Sequence, residues 1–205
     1  MNTKKLVLKI IKIPLSGFIN FLLKNFNIFV IYRIGSAIGD QLCITALLRL
    51  IHQQYPFKIV VISSYPEIFH NNPRVWKNFG VEKNGNYLPK ILRLFSGAQL
   101  ENFLYANSKL SYIDFMRLNG EGIHLTQAHS LHFQHNINFT EIINEIYFSE
   151  DEIKIYKRKF KLPINYSLIS PLGKSSYTPN KNWGFENFQN VVKYSDNIRW
   201  IQVGL

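Results

Sequence analysis

The stretch from Asn27 to Ser63 constrains this chain more than any other. Asn27 to Arg33 (NIFVIYR) is a short run of β-branched and aromatic residues, the composition of a strand. Ile34-Gly35-Ser36-Ala37-Ile38-Gly39-Asp40 follows as a tight loop with two glycines. From about Asp40 to Gln54 the apolar residues recur at helical spacing, with Leu42, Ala46, Leu47 and Leu50 on one side, and Tyr55-Pro56 marks the stop. Lys58 to Ser63 (KIVVIS) then reads as a continuous buried strand. Strand, glycine loop, helix and strand make a β-α-β unit, which implies a parallel sheet with a right-handed crossover. The fold class is therefore α/β, and Rossmann-like at this end of the chain.

Downstream signals are weaker. Pro66 to Pro73 predicts a short helix closed by Asn71-Asn72-Pro73, Arg74 to Phe79 a short strand, and Asn84-Gly85-Asn86 a turn. Leu88 to Leu94 suggests a helix, Asn102 to Tyr105 a strand and Ile123 to Phe133 another helix. Ser149-Glu150-Asp151-Glu152 reads as a capping box for a helix over Ile153 to Phe160, with its carboxylates where the helix dipole favours them. Tyr166 to Ser170 then predicts a strand, Pro171 to Asn182 a polar loop, Phe185 to Tyr194 a helix and Arg199 to Val203 (RWIQV) a strand. A second β-α-β unit has begun. The expected organisation is a basic N-terminal extension over 1–26, a Rossmann-like domain over 27–163 and the start of a second over 164–205.

With 46% apolar and 18% charged residues, the 205-residue chain lies far from the composition of disordered proteins. Its single cysteine, Cys43, excludes a disulfide framework and suits a reducing cytoplasmic setting; set in an apolar run, it reads as a small buried side chain. The net charge of +11 calls for an anionic partner. Lys4, Lys5, Lys9, Lys12, Lys24 and Arg33 precede the first acidic residue and supply six of those charges. In the same stretch lysines alternate with apolar residues, Pro14 interrupts them, and the longest lysine-free run, Ile13 to Leu23, is too short to span a bilayer. Nor does a small-residue cleavage site follow, as a secretory signal needs. Two readings remain: a basic interfacial helix resting on anionic lipid, or a plain helix packed on the domain.

Two loops carry candidate chemistry. The first, Gly35 to Asp40, lies at the carboxyl end of a strand, where open α/β sheets place ligands. It lacks the three-glycine spacing of a dinucleotide fingerprint and the Gly-Lys-Ser/Thr ending of a P-loop. It does offer close backbone approach and a carboxylate, Asp40, whose negative form a helix start favours and which is able to accept a proton from a hydroxyl. The same residue also suits a simple N-cap. The second loop, Pro171 to Trp183, combines Ser175, Ser176, Lys174, Lys181 and backbone amides ahead of a helix, the ingredients of a diphosphate site and equally of a polar surface loop.

Taken together and in order, these segments resemble a known family. Arg33-Ile34-Gly35-Ser36-Ala37-Ile38-Gly39-Asp40, followed by Leu42, Thr45, Ala46, Leu47, Leu48, Arg49 and Tyr55-Pro56, looks like the opening of family 9 glycosyltransferases, the lipopolysaccharide heptosyltransferase group. Pro66-Glu67-Ile68-Phe69 with Asn72-Pro73-Arg74-Val75 is similar to it as well, as is Lys181-Asn182-Trp183-Gly184-Phe185-Glu186-Asn187-Phe188 leading to Gln202-Val203-Gly204. The resemblance implies a GT-B fold, two Rossmann-like domains facing a cleft. It implies metal-independent, inverting transfer of a heptose or related sugar from a nucleotide-sugar donor such as ADP-heptose to a lipid-linked or lipopolysaccharide glycan acceptor, without cofactor. Asp40 would be the general base, Ser36, Ala37, Ile38 and Gly39 would line the acceptor side, and Ser175, Ser176 and Lys181 would hold the donor phosphates. The setting it implies is cytoplasmic, with peripheral contact at the inner face of the inner membrane. Three departures stand out: a longer 171–182 loop, the basic extension, and the absence by Leu205 of the later donor-domain elements, including an acidic nucleotide contact and an Asp-Gly-Thr-type motif. The chain is on this reading a truncated member whose turnover is in doubt, and a non-catalytic, membrane-associated relic of the same fold is the alternative.

His124, His129, His132 and His135 form the other visible cluster. A metal site would want carboxylate or thiol company and closer convergence than their spacing guarantees, so solvated or cleft-lining histidines are expected rather than a metal site. Nucleic-acid binding fits the charge, yet that charge concentrates in an apolar segment and no recognised module accompanies it.

Overall fold

The computed structural model describes residues 3–33, 37–81, 100–106, 124–130, 133–161, 163–170 and 183–203, with side chains from residue 14 onward. The chain divides into two compact units, Met1–Ser149 and Glu150–Leu205. In the first unit the elements run α1 (Thr3–Asn25), β1 (Ile28–Arg33), α2 (Ile38–Gln54), β2 (Lys58–Ser63), a 3-10 turn (Pro66–Phe69), β3 (Val75–Gly80), β4 (Phe103–Ala106) and α3 (Leu125–His129). The four strands form one parallel sheet in the order β3-β2-β1-β4. This is a mixed α/β, Rossmann-like arrangement, as the two continuously apolar strands and the period-3.6 helix of residues 27–63 lead one to expect.

Alternation along β1 assigns its residues to opposite faces. Phe29 and Ile31 join Ile44, Leu47, Leu48 and Ile51 of α2, Ile59 and Val61 of β2, and Leu104 and Ala106 of β4 in one core. Val30 and Tyr32 join Val60, Ile62, Leu100 and Phe103 in the other, which Leu23 of α1 closes with Ile19 beside it. Both faces of the sheet are thus covered, which is why β1 and β2 are continuously apolar rather than alternating. The last turns of α1 are further tied to the chain entering β4. The Glu101 amide donates to Asn20 Oδ1 at 3.1 Å, and Lys24 pairs with the Glu101 carboxylate. Residues 1–26 are therefore not a detached extension at their C-terminal end.

A strap without helix or strand, residues 133–149, runs back along α2. The Gln54 side-chain amide both donates to the Asn138 carbonyl and accepts from the Asn138 amide, each at 2.8 Å. The Glu145 amide donates to Thr45 Oγ1 at 2.9 Å, and its carboxylate pairs with Arg74 at 2.5 Å and with Arg49 at 3.8 Å. Phe133 and Ile137 pack on the α2-side core.

Several sequence expectations shift. α2 starts at Ile38, two residues before the expected boundary. α1 runs through Pro14 rather than breaking there. The Pro66 segment is one 3-10 turn, and the helix expected over Ile123 to Phe133 contracts to Leu125–His129. The turn at 84–86 and the helix at 88–94 lie outside the described residues.

The second unit contains α4 (Glu150–Phe160), β5 (Ser167–Ile169), α5 (Phe185–Lys193) and β6 (Trp200–Gln202), with β5 and β6 parallel. Neither helix buries a residue, and Leu168 is 57% exposed.

Candidate active site

The strand order places a topological switch point between β1 and β4, since the chain leaves β1 toward β2 and β3 and returns to the other side of β1 as β4. Ligands of open α/β sheets bind outside the carboxyl ends of the strands at such a point. Arg33 is the last residue of β1 and stands in register with Ala106, the last of β4. It follows Phe29 and Ile31 by twos and so faces α2. Its side chain is 1% exposed, with Nη1 donating to the Ala106 carbonyl at 3.2 Å and Nη2 to Asp40 Oδ2 at 2.7 Å. Burial pulls the guanidinium below its ordinary pKa, and the charge and hydrogen bond of Asp40 oppose that pull.

Asp40 is not an N-cap. That position belongs to Ala37, in extended conformation, which makes Asp40 the third residue of the helix. Its carboxylate turns to Arg33 instead of to its own helix and stays 26% exposed. The clamp on Oδ2 fixes the carboxylate in orientation at the end of the sheet while the group stays partly exposed, a geometry suited to accepting a proton from a bound hydroxyl. Ala37, Ile38 and Gly39 precede it on the surface, with Ile38 55% exposed. Gly39 takes no positive φ, and a Cβ built on it meets nothing within 4 Å. Its conformation would therefore admit any residue, and the open space beside it is what the glycine provides. Ser36 lies outside the described residues, as do Ser175, Ser176 and Lys181 of the second loop. Only the helix start after that loop is described: Gly184 caps α5 at a φ of 89°, where a side chain would be strained, and Trp183 meets Phe188 edge-on at 5.3 Å.

α3 packs on α2 behind this pair and adds groups that sequence spacing did not assign to the site. Thr126, fully buried, donates from Oγ1 to the Cys43 carbonyl at 3.0 Å. Burial raises the Cys43 thiol above its usual pKa, and the Asp40 charge adds to that; the residue is part-buried and not the fully buried side chain its apolar setting in the sequence suggests. His129 is fully buried, and neither ring nitrogen has a partner among the described residues. Its pKa is pushed down to about 4, first by burial and then by the Arg33 charge, against an opposing contribution from Asp40.

The histidines thus do not share one environment, and His124 alone of the cluster's described members is exposed. His129 is core. His124 caps α3, accepting from the Thr126 amide through Nδ1 at 3.2 Å, and His135 donates from Nε2 to Asn102 Oδ1 at 3.1 Å amid Tyr55, Phe57 and Phe133. His132 lies outside the described residues. Among the described residues no three metal-ligating side chains converge.

No family profile matches the sequence, and no curated protein matches it. Among solved structures, the ADP-heptose lipopolysaccharide heptosyltransferase II of E. coli aligns with 86% of this chain at 13% identity and a TM-score of 0.49. The chain spans 64% of that protein's length in the alignment.

Proposed function

We propose that this chain carries the acceptor side of a GT-B glycosyltransferase of the heptosyltransferase type, with Asp40 as its general base. The observation that carries the reading is the partly exposed Asp40 carboxylate, held at 2.7 Å by a buried arginine at the switch point of a parallel sheet. The sequence resemblance of residues 33–56, 66–75 and 181–204 to family 9 supports it independently.

In this reading the acceptor hydroxyl docks beside Ser36, Ala37, Ile38 and Gly39 and gives its proton to Asp40 Oδ1. The hydroxyl oxygen attacks the anomeric carbon as the bond from that carbon to the diphosphate breaks, with inversion and release of the nucleoside diphosphate. Ser175, Ser176, Lys181 and the start of α5 oppose the charge that grows on the departing diphosphate, a task that falls to protein cations and dipoles in a metal-free reaction. The donor is a nucleotide sugar of the ADP-heptose class and the acceptor a lipid-linked or lipopolysaccharide glycan. The reaction takes place in the cytoplasm, at the inner face of the inner membrane.

The test measures transfer from ADP-heptose and other nucleotide sugars by the protein, with Asp40→Asn alongside. Transfer lost in Asp40→Asn with donor binding retained is expected. Unchanged turnover in that variant removes Asp40 as the base, and acceptor binding without any transfer favours a non-catalytic binding domain.

A further inference from the structure

Helix α1 has two apolar sides and the domain covers one of them. Ile19 and Leu23, four residues apart, pack on the sheet, and Leu23 is only 8% exposed. Phe18 and Phe21, three apart, fall on a different side of the helix and are 57% and 62% exposed. Leu15 at 39% and Phe26, just beyond the helix at 59%, extend the same uncovered region. Single exposed apolar residues are ordinary, but a row of phenyl rings on one helix is not what water alone selects.

The charge indicates the occupant. Lys4, Lys5, Lys9 and Lys12 occupy the early turns of α1, and no acidic residue occurs before Asp40. A second copy of the chain would bring two such lysine sets together and meet their repulsion. A nucleic-acid backbone would satisfy the lysines and leave the phenyl rings in water. An anionic bilayer surface takes both, with rings entering the acyl boundary and ammonium groups at the headgroups. No helix among the described residues is long and apolar enough to cross a membrane, so the fit is to a surface and not a span.

We propose that α1 docks the domain on anionic lipid through Phe18, Phe21 and Leu15, while Ile19 and Leu23 hold the domain to the same helix. The packed side makes the anchor rigid, so docking fixes the height and orientation of the sheet above the lipid and not merely its proximity. This proposal does not depend on sugar transfer.

Co-sedimentation of the whole chain with vesicles tests it, comparing phosphatidylcholine alone with phosphatidylcholine mixed with phosphatidylglycerol, at low and high salt. Binding to the mixed vesicles that weakens with salt is expected, as is a loss of about tenfold or more in Phe18→Ser/Phe21→Ser, whose residues are more than half exposed in the fold. The Lys4→Gln/Lys5→Gln/Lys9→Gln/Lys12→Gln variant should lose the preference for anionic vesicles. A melting temperature unchanged in the phenylalanine variant shows that the fold is intact. Vesicle binding that survives both sets of substitutions overturns the proposal. So does self-association abolished by Phe18→Ser/Phe21→Ser without vesicle binding, which would assign the face to a second copy.

Discussion

The Arg33 guanidinium, 1% exposed at the end of β1, donates to Asp40 Oδ2 at 2.7 Å from the first turn of α2. The pair joins the strand and the helix of the opening β-α-β unit across the glycine loop. Removing the carboxylate takes its charged partner from a buried cation, a costly state. Asp40→Ala should cost about 2–4 kcal/mol in urea unfolding, somewhat discounted for the exposure of Asp40, and Arg33→Met/Asp40→Asn should cost clearly less than the sum of its single changes. Strictly additive costs would show that the two groups are not coupled.

Gly39→Ala separates a structural role from a functional one. Its φ is not in the left-handed region and a Cβ there meets nothing, so alanine in the first turn of α2 should leave stability unchanged or raise it by about 0.5–1 kcal/mol. If an acceptor approaches the backbone here, transfer should nonetheless fall. Stability and transfer both unaffected would mean that no ligand uses this space.

His129 predicts acid sensitivity. Its folded pKa of about 4 lies below the ordinary 6.5, so between these values the unfolded chain binds the extra proton. The stabilising contribution is present above pH 6.5 and is lost as pH falls toward 4. It amounts to about 2 kcal/mol between pH 7 and pH 5. His129→Met should flatten the dependence of the urea midpoint on pH across that window. An equally steep dependence in the variant would assign the effect to other groups.

Glu145 fastens the 133–149 strap, receiving Arg74 at 2.5 Å with Tyr147 against the same carboxylate at 3.0 Å. The two charged groups are each about one-fifth exposed, between the surface and the buried regime. A double-mutant cycle on Arg74→Ala and Glu145→Ala should return a coupling of about 1–2 kcal/mol. Faster proteolysis between 133 and 149 should accompany Glu145→Ala, and a coupling near zero would show that the strap is held by Phe133, Ile137 and the Gln54 amide instead.

Local chemistry wrote β1, α2 and β2 into the sequence, because a strand buried on both faces must be continuously apolar and a helix above it must repeat at 3.6. Glycine and carboxylate marked the loop between them, which is why Asp40 was legible as a candidate. Its partner was less so: Arg33 reads as the end of a strand until alternation from Phe29 and Ile31 turns it toward α2. The pairing of β4 with β1, seventy residues on, created the switch point and supplied the Ala106 carbonyl, a long-range choice with no local signature. The burial of His129 within reach of the Arg33 and Asp40 charges came the same way, from α3 packing on α2. The sequence left α1 between packing and interfacial roles because both need apolar residues at helical spacing. Tertiary contact decided which of them, Leu23 and Ile19, the sheet would take, and so which, Phe18 and Phe21, were left facing out.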